Sequence, residues 1–421
     1  MPRMLTLPRE SAPMDESLQH VSPEEAGFDA VRLERIGHLL TADIDAEKIP
    51  GAVVLIARRG AIAWWKAFGY RDREANVRME RDDLFRIASM TKPVTSVAAM
   101  ILAERGELFL PEPVARYLPE FAATQVGVEE GAGENASLRL VPQERPMTVH
   151  DLLRHTAGLT YGLFGSSLVK TAYNEAAVFD LRNTNEQMVA KLAALPLAHQ
   201  PGRVWDYSMA TDVLGRIVEV VSGRPLEQFF REEIFSPLGM NDTGFLLPAG
   251  KAARMAQPQV NPQTGQRPPM ADHTVAWPWQ SGGAGLCGAA PDYLRFCTML
   301  LRRGTCNGAR LLAASTVDLM TSDHLPADIV WDKQTAPLFE AEAPARSVGQ
   351  SFGLGFAVRT HAGVNPLPGS VGDYFWAGAL GTYFWIDPAQ DMIVLFMSQA
   401  PEYRLHYRYL MRQLVYQALQ E

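Results

Sequence analysis

The sequence has few cysteines, no long apolar run and no excess of positive charge. Its 421 residues include three cysteines, Cys287, Cys297 and Cys306. This odd number and its spacing fit neither a disulfide framework nor a zinc site, so we expect reduced thiols. No stretch of about 18 apolar residues is present, and we therefore expect no membrane-spanning helix and no membrane partner.

Charge and histidine content exclude further classes of protein. The chain carries 39 basic against 47 acidic residues, for a net charge of −8, and has nine histidines. The basic residues form no stripe, which disfavours nucleic acid as a partner. The histidines form no His-Glu-x-x-His pattern, so we expect no metal and no other cofactor. Residues 1–19 lack the apolar core of a signal peptide, which predicts a disordered leader and a cytoplasmic location.

Strand-like segments lie at both ends of the chain. Asp29 is typical of an N-cap, and the residues after it place Leu33, Ile36, Leu40 and Ile44 on one helix face. β-Branched and aromatic runs predict strands, and a long helix closes the chain. The predicted strands are residues 52–57, 61–68, 353–358, 379–386 and 392–397, and the predicted closing helix is residues 403–419.

The middle of the chain is mainly helical, with connections rich in proline and glycine. This order of elements predicts an α/β (α+β) fold in which an antiparallel sheet flanked by helices carries an inserted all-α lobe. We expect residues 20–89 and 282–421 to form a discontinuous α/β domain, and residues 90–281 to form a mainly helical one. Residues 126–146 and 324–350 are predicted to be long surface loops.

Two Ser-x-x-Lys patterns are candidates for a catalytic nucleophile. On a helix, residues three apart share a face, so the hydroxyl of serine and the amine of lysine can meet. Ser89 and Lys92 open the most apolar helix of the chain, whereas Ser167 and Lys170 follow a loop. This placement favours Ser89, although an N-cap serine beside a solvated lysine explains the same pattern.

Two rival nucleophile arrangements are present. The letters GQSFG at residues 349–353 match the elbow of α/β-hydrolases, but an elbow joins a strand to a following helix, and here a loop precedes Ser351 and a predicted strand follows it. A Ser-His-Asp triad would use His155. Because His155 comes just after a helix end, hydrogen bonding to nearby backbone is the simpler interpretation.

Five segments together resemble the class C β-lactamase-like superfamily of penicillin-recognising serine hydrolases. They occur in the family's order, and the resemblance extends from about residue 24 to the carboxyl terminus. Within the superfamily, the chain most resembles family VIII carboxylesterases and related acyltransferases that act on statin-like polyketides. The segments are LFRIASMTKP at residues 84–93, LLRHTAGL at 152–159, WDYS at 205–208, PLGM at 237–240 and GGAGL at 282–286.

The resemblance implies roles for three side chains. Ser89 would be the nucleophile, Lys92 its hydrogen-bonded partner, and Tyr207 the general base that later protonates the leaving group. A tyrosine with a solution pKa of about 10 can act as a base near neutrality only if a cation stabilises its phenolate. Lys92 would be that cation.

The family's third motif, Lys-Thr-Gly in β-lactamases, is similar in position to Trp376-Ala377-Gly378, and family VIII esterases carry Trp-x-Gly. The resemblance implies that the backbone N–H groups of Ser89 and Ala379 form an oxyanion hole. It also implies that Trp376, Gly378 and Met209 contact substrate. Met209 replaces the asparagine of Tyr-x-Asn, so both replacements remove polar anchors and favour uncharged esters over β-lactams.

These observations predict a serine carboxylesterase that hydrolyses short- to medium-chain esters through an acyl-enzyme on Ser89. The substrate would be a small molecule, and β-lactams would be cleaved weakly or not at all. Three alternatives stay open: a β-lactamase or D-alanyl peptidase, an acyltransferase to an alcohol acceptor, and a catalytically silent member that binds a ligand.

Overall fold

The computed structural model describes residues 19–131, 135–247, 249–261 and 264–420. The predicted leader, residues 1–19, lies outside these ranges except for Gln19, whose carbonyl accepts a hydrogen bond from the N–H of Ile62 at 2.7 Å. Among the described helices, none has the length and apolar character needed to cross a membrane.

The main structural unit is an eight-stranded antiparallel sheet in the order β12-β13-β14-β15-β16-β1-β2-β3. It joins strands from both ends of the chain, so the neighbouring strands β1 and β16 are far apart in sequence. In chain order the strands are β1 Gly51–Arg58, β2 Ala61–Asp72, β3 Val77–Arg78, β4 Leu84–Arg86, β5 Val126–Glu130, β6 Ser137–Val141, β7 Val204–Trp205, β8 Cys287–Ala289, β9 Thr305–Cys306, β10 Ala309–Arg310, β11 Val330–Trp331, β12 Gln350–Phe352, β13 Ala357–Arg359, β14 Tyr374–Ala377, β15 Tyr383–Asp387 and β16 Met392–Ser398.

Helices cover the sheet and fill the chain between its two halves. α1 packs against α11 and β2, whereas α9 packs against β1 and β16. Every residue of β1 and of β16 is buried, as expected for strands covered on both faces. The helices are α1 Ala30–Asp45, α2 Thr91–Glu104, α3 Val149–Leu153, α4 Leu168–Glu175, α5 Asn185–Ala193, α6 Ala210–Ser222, α7 Leu226–Phe230, α8 Ser236–Leu238, α9 Ala290–Leu301, α10 Ala314–Met320 and α11 Arg404–Tyr416.

The predicted fold class is confirmed: this is a mixed α/β protein in which helices flank a large antiparallel sheet. Asp29 caps α1 by accepting from the N–H of Arg32 at 3.0 Å. The four apolar residues predicted to share one face of α1 are buried. The three cysteines are buried free thiols. The division into residues 20–89 with 282–421, and residues 90–281, stays a prediction.

The predicted strand at residues 353–358 is wrong over most of its length. Residues 353–356 form the turn between β12 and β13, which pair as a hairpin, and only residues 357 and 358 belong to β13. Gly355 has a φ of +98°, which side-chain-bearing residues rarely adopt. At Gly353, a Cβ atom would collide with the carbonyl oxygen of Met320. The apolar run therefore bends where glycine permits close backbone contact.

The strand predicted at residues 379–386 begins later, at Tyr383. Residues 378–381 form a turn in which the N–H of Gly381 donates to the carbonyl of Gly378 at 3.2 Å, with Gly381 at a φ of +113°. Ala379 thus lies on a tight turn after β14. The closing helix is also shorter than predicted, since α11 spans Arg404–Tyr416.

Both predicted long loops contain regular structure. Within residues 126–146, β5 and β6 pair as an antiparallel hairpin, because alternating apolar residues outweigh the local content of glycine and glutamate. Within residues 324–350, β11 pairs in parallel with β7, and the remainder forms short 3₁₀ turns.

A buried ion cluster holds α11 against the sheet. The carboxylate of Asp373 accepts from Nη1 of Arg412 at 2.7 Å and from Nε of Arg359 at 3.0 Å. The three side chains are at most 3% exposed. Removing one partner from such a cluster leaves an uncompensated buried charge.

We expect Asp373→Asn to lower the free energy of unfolding by about 3–5 kcal/mol, because two buried guanidinium groups lose their carboxylate. Asp318→Asn breaks the pair of Arg303 and Asp318, which is more than half exposed, and should cost less than about 1 kcal/mol. Urea unfolding followed by tryptophan fluorescence measures both variants. Equal losses of stability would contradict the role of the buried cluster.

Candidate active site

Ser89 lies at a sharp bend between a strand and a buried helix. β4 ends at Arg86, and a single 3₁₀ turn, Ala88–Met90, leads into α2. Ala88 has a φ of +44°, a strained conformation for a residue with a side chain. The bend places Ser89 at the start of α2, where it lines a cleft.

The turn after β14 packs directly on this bend. Gly378 lies so close to the backbone that an added Cβ would be 2.6 Å from the carbonyl oxygen of Ile87. The hydroxyl of Thr382 donates to the same oxygen at 3.3 Å. Only glycine fits at 378, and this contact brings Ala379 and Ser89 to the wall of one cleft.

Lys92 is almost completely buried, with 1% of its surface exposed. Its Nζ donates to the carbonyl of Gly283 at 2.7 Å and to the hydroxyl of Tyr161 at 3.0 Å, and not, as the resemblance implied, to Ser89. The same nitrogen lies 4.6 Å from the ring centroid of Tyr207. The amine is therefore held against the aromatic face of the predicted base.

A buried carboxylate lies near this amine. On α6, Asp212 accepts from the hydroxyl of Ser281 at 2.5 Å and from the N–H of Gly283 at 3.0 Å. Burial raises the pKa of Asp212, and the nearby Lys92 opposes that rise. Burial likewise raises the pKa of Tyr161 well above its usual value. Tyr161 is thus a neutral hydrogen-bonding partner.

Tyr207 lies between β7 and α6, with 6% of its surface exposed. Its ring contacts those of His155 and Trp376, at centroid distances of 5.0 and 5.4 Å. Its hydroxyl is buried and has no hydrogen-bond partner among the described residues. Because buried polar groups are almost always paired, an unpaired hydroxyl beside a serine and a lysine indicates a functional position.

The cleft at Ser89 has a cavity volume of about 150 Å³. Aromatic and aliphatic side chains make up most of its wall, and three charged side chains lie at one part of it. The lining residues are Ser89, Phe164, Tyr207, Leu338, Phe339, Glu342, Phe375, Trp376, Ala377, Ala379, Arg404 and Arg408.

The structure brings four of the predicted site residues to this cleft and places three elsewhere. Ser89, Tyr207, Trp376 and Ala379 line it, and Lys92 lies behind them against Tyr207. Gly378 lies in the turn after β14 and packs against the backbone of Ile87. Met209 caps the start of α6 with 2% exposure and is absent from the cleft wall. The prediction that Met209 offers apolar surface to substrate therefore lacks support in the geometry.

His155 does not have the geometry of a triad base. Its Nδ1 accepts from the backbone N–H of Ser208 at 3.3 Å, whereas a triad histidine donates from Nδ1 to a carboxylate. Burial, and then the charge of Lys92, lower its pKa well below the usual value. The ring packs against Trp205, Tyr207 and Phe352. His155 thus supports the position of Tyr207.

The other two candidate serines have structural partners. The hydroxyl of Ser167 caps α4 by accepting from the N–H of Lys170 at 3.1 Å. Ser351 lies on β12 with no surface exposed, and its hydroxyl donates to Asp323. A strand rather than a helix follows Ser351, so the elbow interpretation is excluded.

One group of side chains in the described ranges has the donor set for a metal ion. Ligand atoms of His199, Asp206 and Asp332 lie within 4.8 Å of one another. Asp206 already accepts from Thr335 at 2.9 Å, and the ammonium of Lys170 lies 3.8 Å from Asp332. Both carboxylates of the group therefore have partners within the protein.

Sequence reasoning missed several residues around the cleft. Tyr161 follows the recognised segment 152–159 by two positions, and Asp212 lies five residues after Tyr207, so proximity to the motifs was the signal that could have found them. Arg404 and Arg408 carried no such signal. Their place on the cleft wall depends on how α11 packs on the sheet.

An antiparallel sheet, helices inserted between its two halves and a serine at the start of a buried helix define a serine hydrolase of the β-lactamase and penicillin-binding protein fold. A family model described as Beta-lactamase matches residues 36–415. The chain belongs to that family.

Relatives and a solved structure agree with this assignment. Protein Rv1367c of Mycobacterium tuberculosis is 40% identical over 84% of this chain and 87% of its own length. Esterase EstB of Burkholderia gladioli is 31% identical over 90% of this chain and 93% of its own. The structure of EstCE1, a hydrolase with promiscuous acyltransferase activity, is similar with a TM-score of 0.75 and 29% identity, covering 92% of this chain and 99% of that one.

We expect a fluorophosphonate probe to label Ser89, because Ser89 lines the cleft whereas Ser167 and Ser351 are occupied by structural hydrogen bonds. Intact-mass spectrometry with peptide mapping locates the adduct. Ser89→Ala should abolish labelling, and Ser167→Ala and Ser351→Ala should leave it nearly intact. An adduct on Ser167 or Ser351 would contradict the assignment.

Proposed function

We propose that this protein is a serine carboxylesterase that hydrolyses short- to medium-chain esters through an acyl-enzyme on Ser89. The main observation behind the proposal is that Ser89, Tyr207 and Ala379 line one cleft and that Lys92 lies against the ring of Tyr207. The similarity to esterase EstB supports it. The resemblance to family VIII carboxylesterases points to the same activity.

In the proposed acylation step, Tyr207 takes the proton of Ser89 while the serine oxygen attacks the ester carbonyl. Lys92 lies 4.6 Å from the ring of Tyr207 and stabilises its phenolate. The step starts from the phenolate form of Tyr207, whose oxygen has no other hydrogen-bond partner among the described residues and is therefore free to accept that proton. The same proton then passes to the departing alkoxide as the acyl bond to Ser89 is completed.

The backbone N–H groups of Ser89 and Ala379 would bind the oxyanion of the tetrahedral intermediate. Both residues line the cleft, and the close contact between Gly378 and Ile87 fixes their two backbone segments together. Donors held in position before reaction need no reorganisation when charge develops on the oxygen. The side chain of Ala379 has no part in this step.

In the proposed second step, Tyr207 takes a proton from water as the water oxygen attacks the acyl carbon. The proton then passes to the oxygen of Ser89 as the acid leaves. An alcohol that enters the cleft would accept the acyl group by the same route, which makes acyl transfer the alternative outcome. The similarity to EstCE1, a hydrolase with promiscuous acyltransferase activity, favours this as a side reaction. The ratio of hydrolysis to acyl transfer depends on whether water or alcohol reaches the acyl carbon.

The apolar wall of the cleft supports an alkyl acyl or alcohol group in the substrate. Phe164, Leu338, Phe339 and Trp376 line it, and each buried methylene contributes about 0.8 kcal/mol to binding. A silent ligand-binding role is disfavoured because a binding site needs no serine, lysine and tyrosine in this arrangement. A cytoplasmic location and the absence of nucleic-acid and membrane partners stay predictions.

Tyr207→Phe should reduce kcat by about 10² to 10⁴, because the variant keeps the ring packing and loses the proton-transfer group. His155→Ala should mainly reduce thermal stability, because His155 packs on three aromatic rings. Steady-state kinetics on p-nitrophenyl butyrate and thermal unfolding of both variants provide the test. A folded His155→Ala without activity, beside an active Tyr207→Phe, would establish a histidine-based mechanism instead.

The ester p-nitrophenyl butyrate should show a higher kcat/KM than nitrocefin. Trp376 lines the cleft where β-lactamases are expected to have a lysine, and the apolar wall suits a butyryl chain better than a polar amide. Both assays are chromogenic and are run with wild type and Ser89→Ala. A nitrocefin value equal to or above that of the ester would favour the β-lactamase alternative.

A further inference from the structure

Two arginines of α11 reach the cleft that contains Ser89. Arg404 and Arg408 are four residues apart, on one face of the helix, and both line the cleft wall. Arg408 is 5% exposed. It donates to the carbonyl of Gly378 at 3.1 Å and pairs with Glu342 at 3.4 Å. Arg408 is thus built into the wall, with one carboxylate as its counter-charge.

Arg404 has no such counter-charge. Its Nη1 donates to the carbonyl of Pro401 at 2.9 Å, and no carboxylate forms an ion pair with it in the part of the chain that the structure describes. Burial, and then repulsion from Arg408, lower the pKa of Arg404. A guanidinium nonetheless stays charged at neutral pH.

The cleft therefore has an excess of positive charge at one end. Its lining has two arginines and one glutamate, Glu342, beside otherwise uncharged side chains. Nε of Arg408 is buried and unpaired among the described residues. Oε1 of Glu342 is unpaired as well, but one carboxylate cannot balance two guanidinium groups. The remaining positive charge makes this end of the cleft complementary to a negatively charged group.

We propose that the enzyme prefers esters that carry a carboxylate, which binds Arg404 while the ester carbonyl lies at Ser89. The inference rests on the proposed esterase function and names its substrate class. A guanidinium presents two parallel N–H donors that match the two oxygens of a carboxylate. Arg404 lies on α11 and not on β14, which carries Trp376, so it does not occupy the position of the β-lactamase lysine.

The test compares matched charged and neutral esters. Mono-4-nitrophenyl adipate is set against 4-nitrophenyl hexanoate, which places the charge on the acyl side. In the second pair, 3-carboxy-4-nitrophenyl butyrate is set against 4-nitrophenyl butyrate, which places it on the alcohol side. The measured quantity is the ratio of kcat/KM for the charged ester to that for its neutral partner.

We expect one of the two ratios to exceed 1 in the wild type and to fall by about 10- to 100-fold in Arg404→Gln, the range for loss of a hydrogen bond to a charged group. Arg404→Lys should keep most of the preference. Glu342→Gln should raise the ratio, because it removes the negative charge of the cleft. Added salt should lower it.

Arg116→Gln is the control for net charge, since Arg116 is an exposed residue outside the cleft, and its ratios should match those of the wild type. If both ratios were near 1 and Arg404→Gln did not change them, the carboxylate preference would be overturned. Hydrolysis of 4-nitrophenyl hexanoate that depends on Ser89 would still support the esterase function in that case. Loss of hydrolysis of all four esters by the folded wild type would instead contradict the proposed function.

Discussion

The cleft depends on the burial of one amine. Lys92 has almost no contact with water, so protein groups must satisfy its hydrogen bonds and balance its charge. The carbonyl of Gly283 and the hydroxyl of Tyr161 accept from it, and Asp212 binds the N–H of the same Gly283. These partners come from three distant parts of the chain. The packing of α2 against α6 and the path of residues 281–283 are thereby fixed by the needs of a single side chain.

A second constraint lies on the opposite wall. α11 contributes cations to the cleft only because its later residues are held to the sheet by the buried Asp373 cluster. Arg412 and Arg408 lie on the same helix face, so an interaction below the sheet surface orients a residue at the cleft wall. Stability and recognition are thus coupled through one helix. The same helix closes against α1, which ties the two ends of the chain together.

Much of the fold and the central part of the site could be predicted from sequence, for identifiable reasons. Periodicity located α1, and the ordered motifs located Ser89, Lys92 and Tyr207 beside each other. Prediction failed where glycine bends an apolar run, as at residues 353–356, because composition alone does not show close backbone contact. It also gave no signal for Arg404, and it did not show that Met209 lies outside the cleft wall. The position of Arg404 depends on which face of α11 meets the sheet, and a motif match carries no information about that contact.

The parallel pairing of β7 with β11 joins Tyr207, the proposed base, to the cleft wall. Trp205, two residues before Tyr207, accepts from the N–H of Asp332, and Thr335 binds Asp206 at 2.9 Å. A few residues further along, the same segment supplies Leu338 and Phe339 to the cleft. Substitutions that shift the segment of residues 330–339 would therefore act on the position of Tyr207 as well as on the shape of the wall. Selectivity and turnover thus share one structural support in this scaffold.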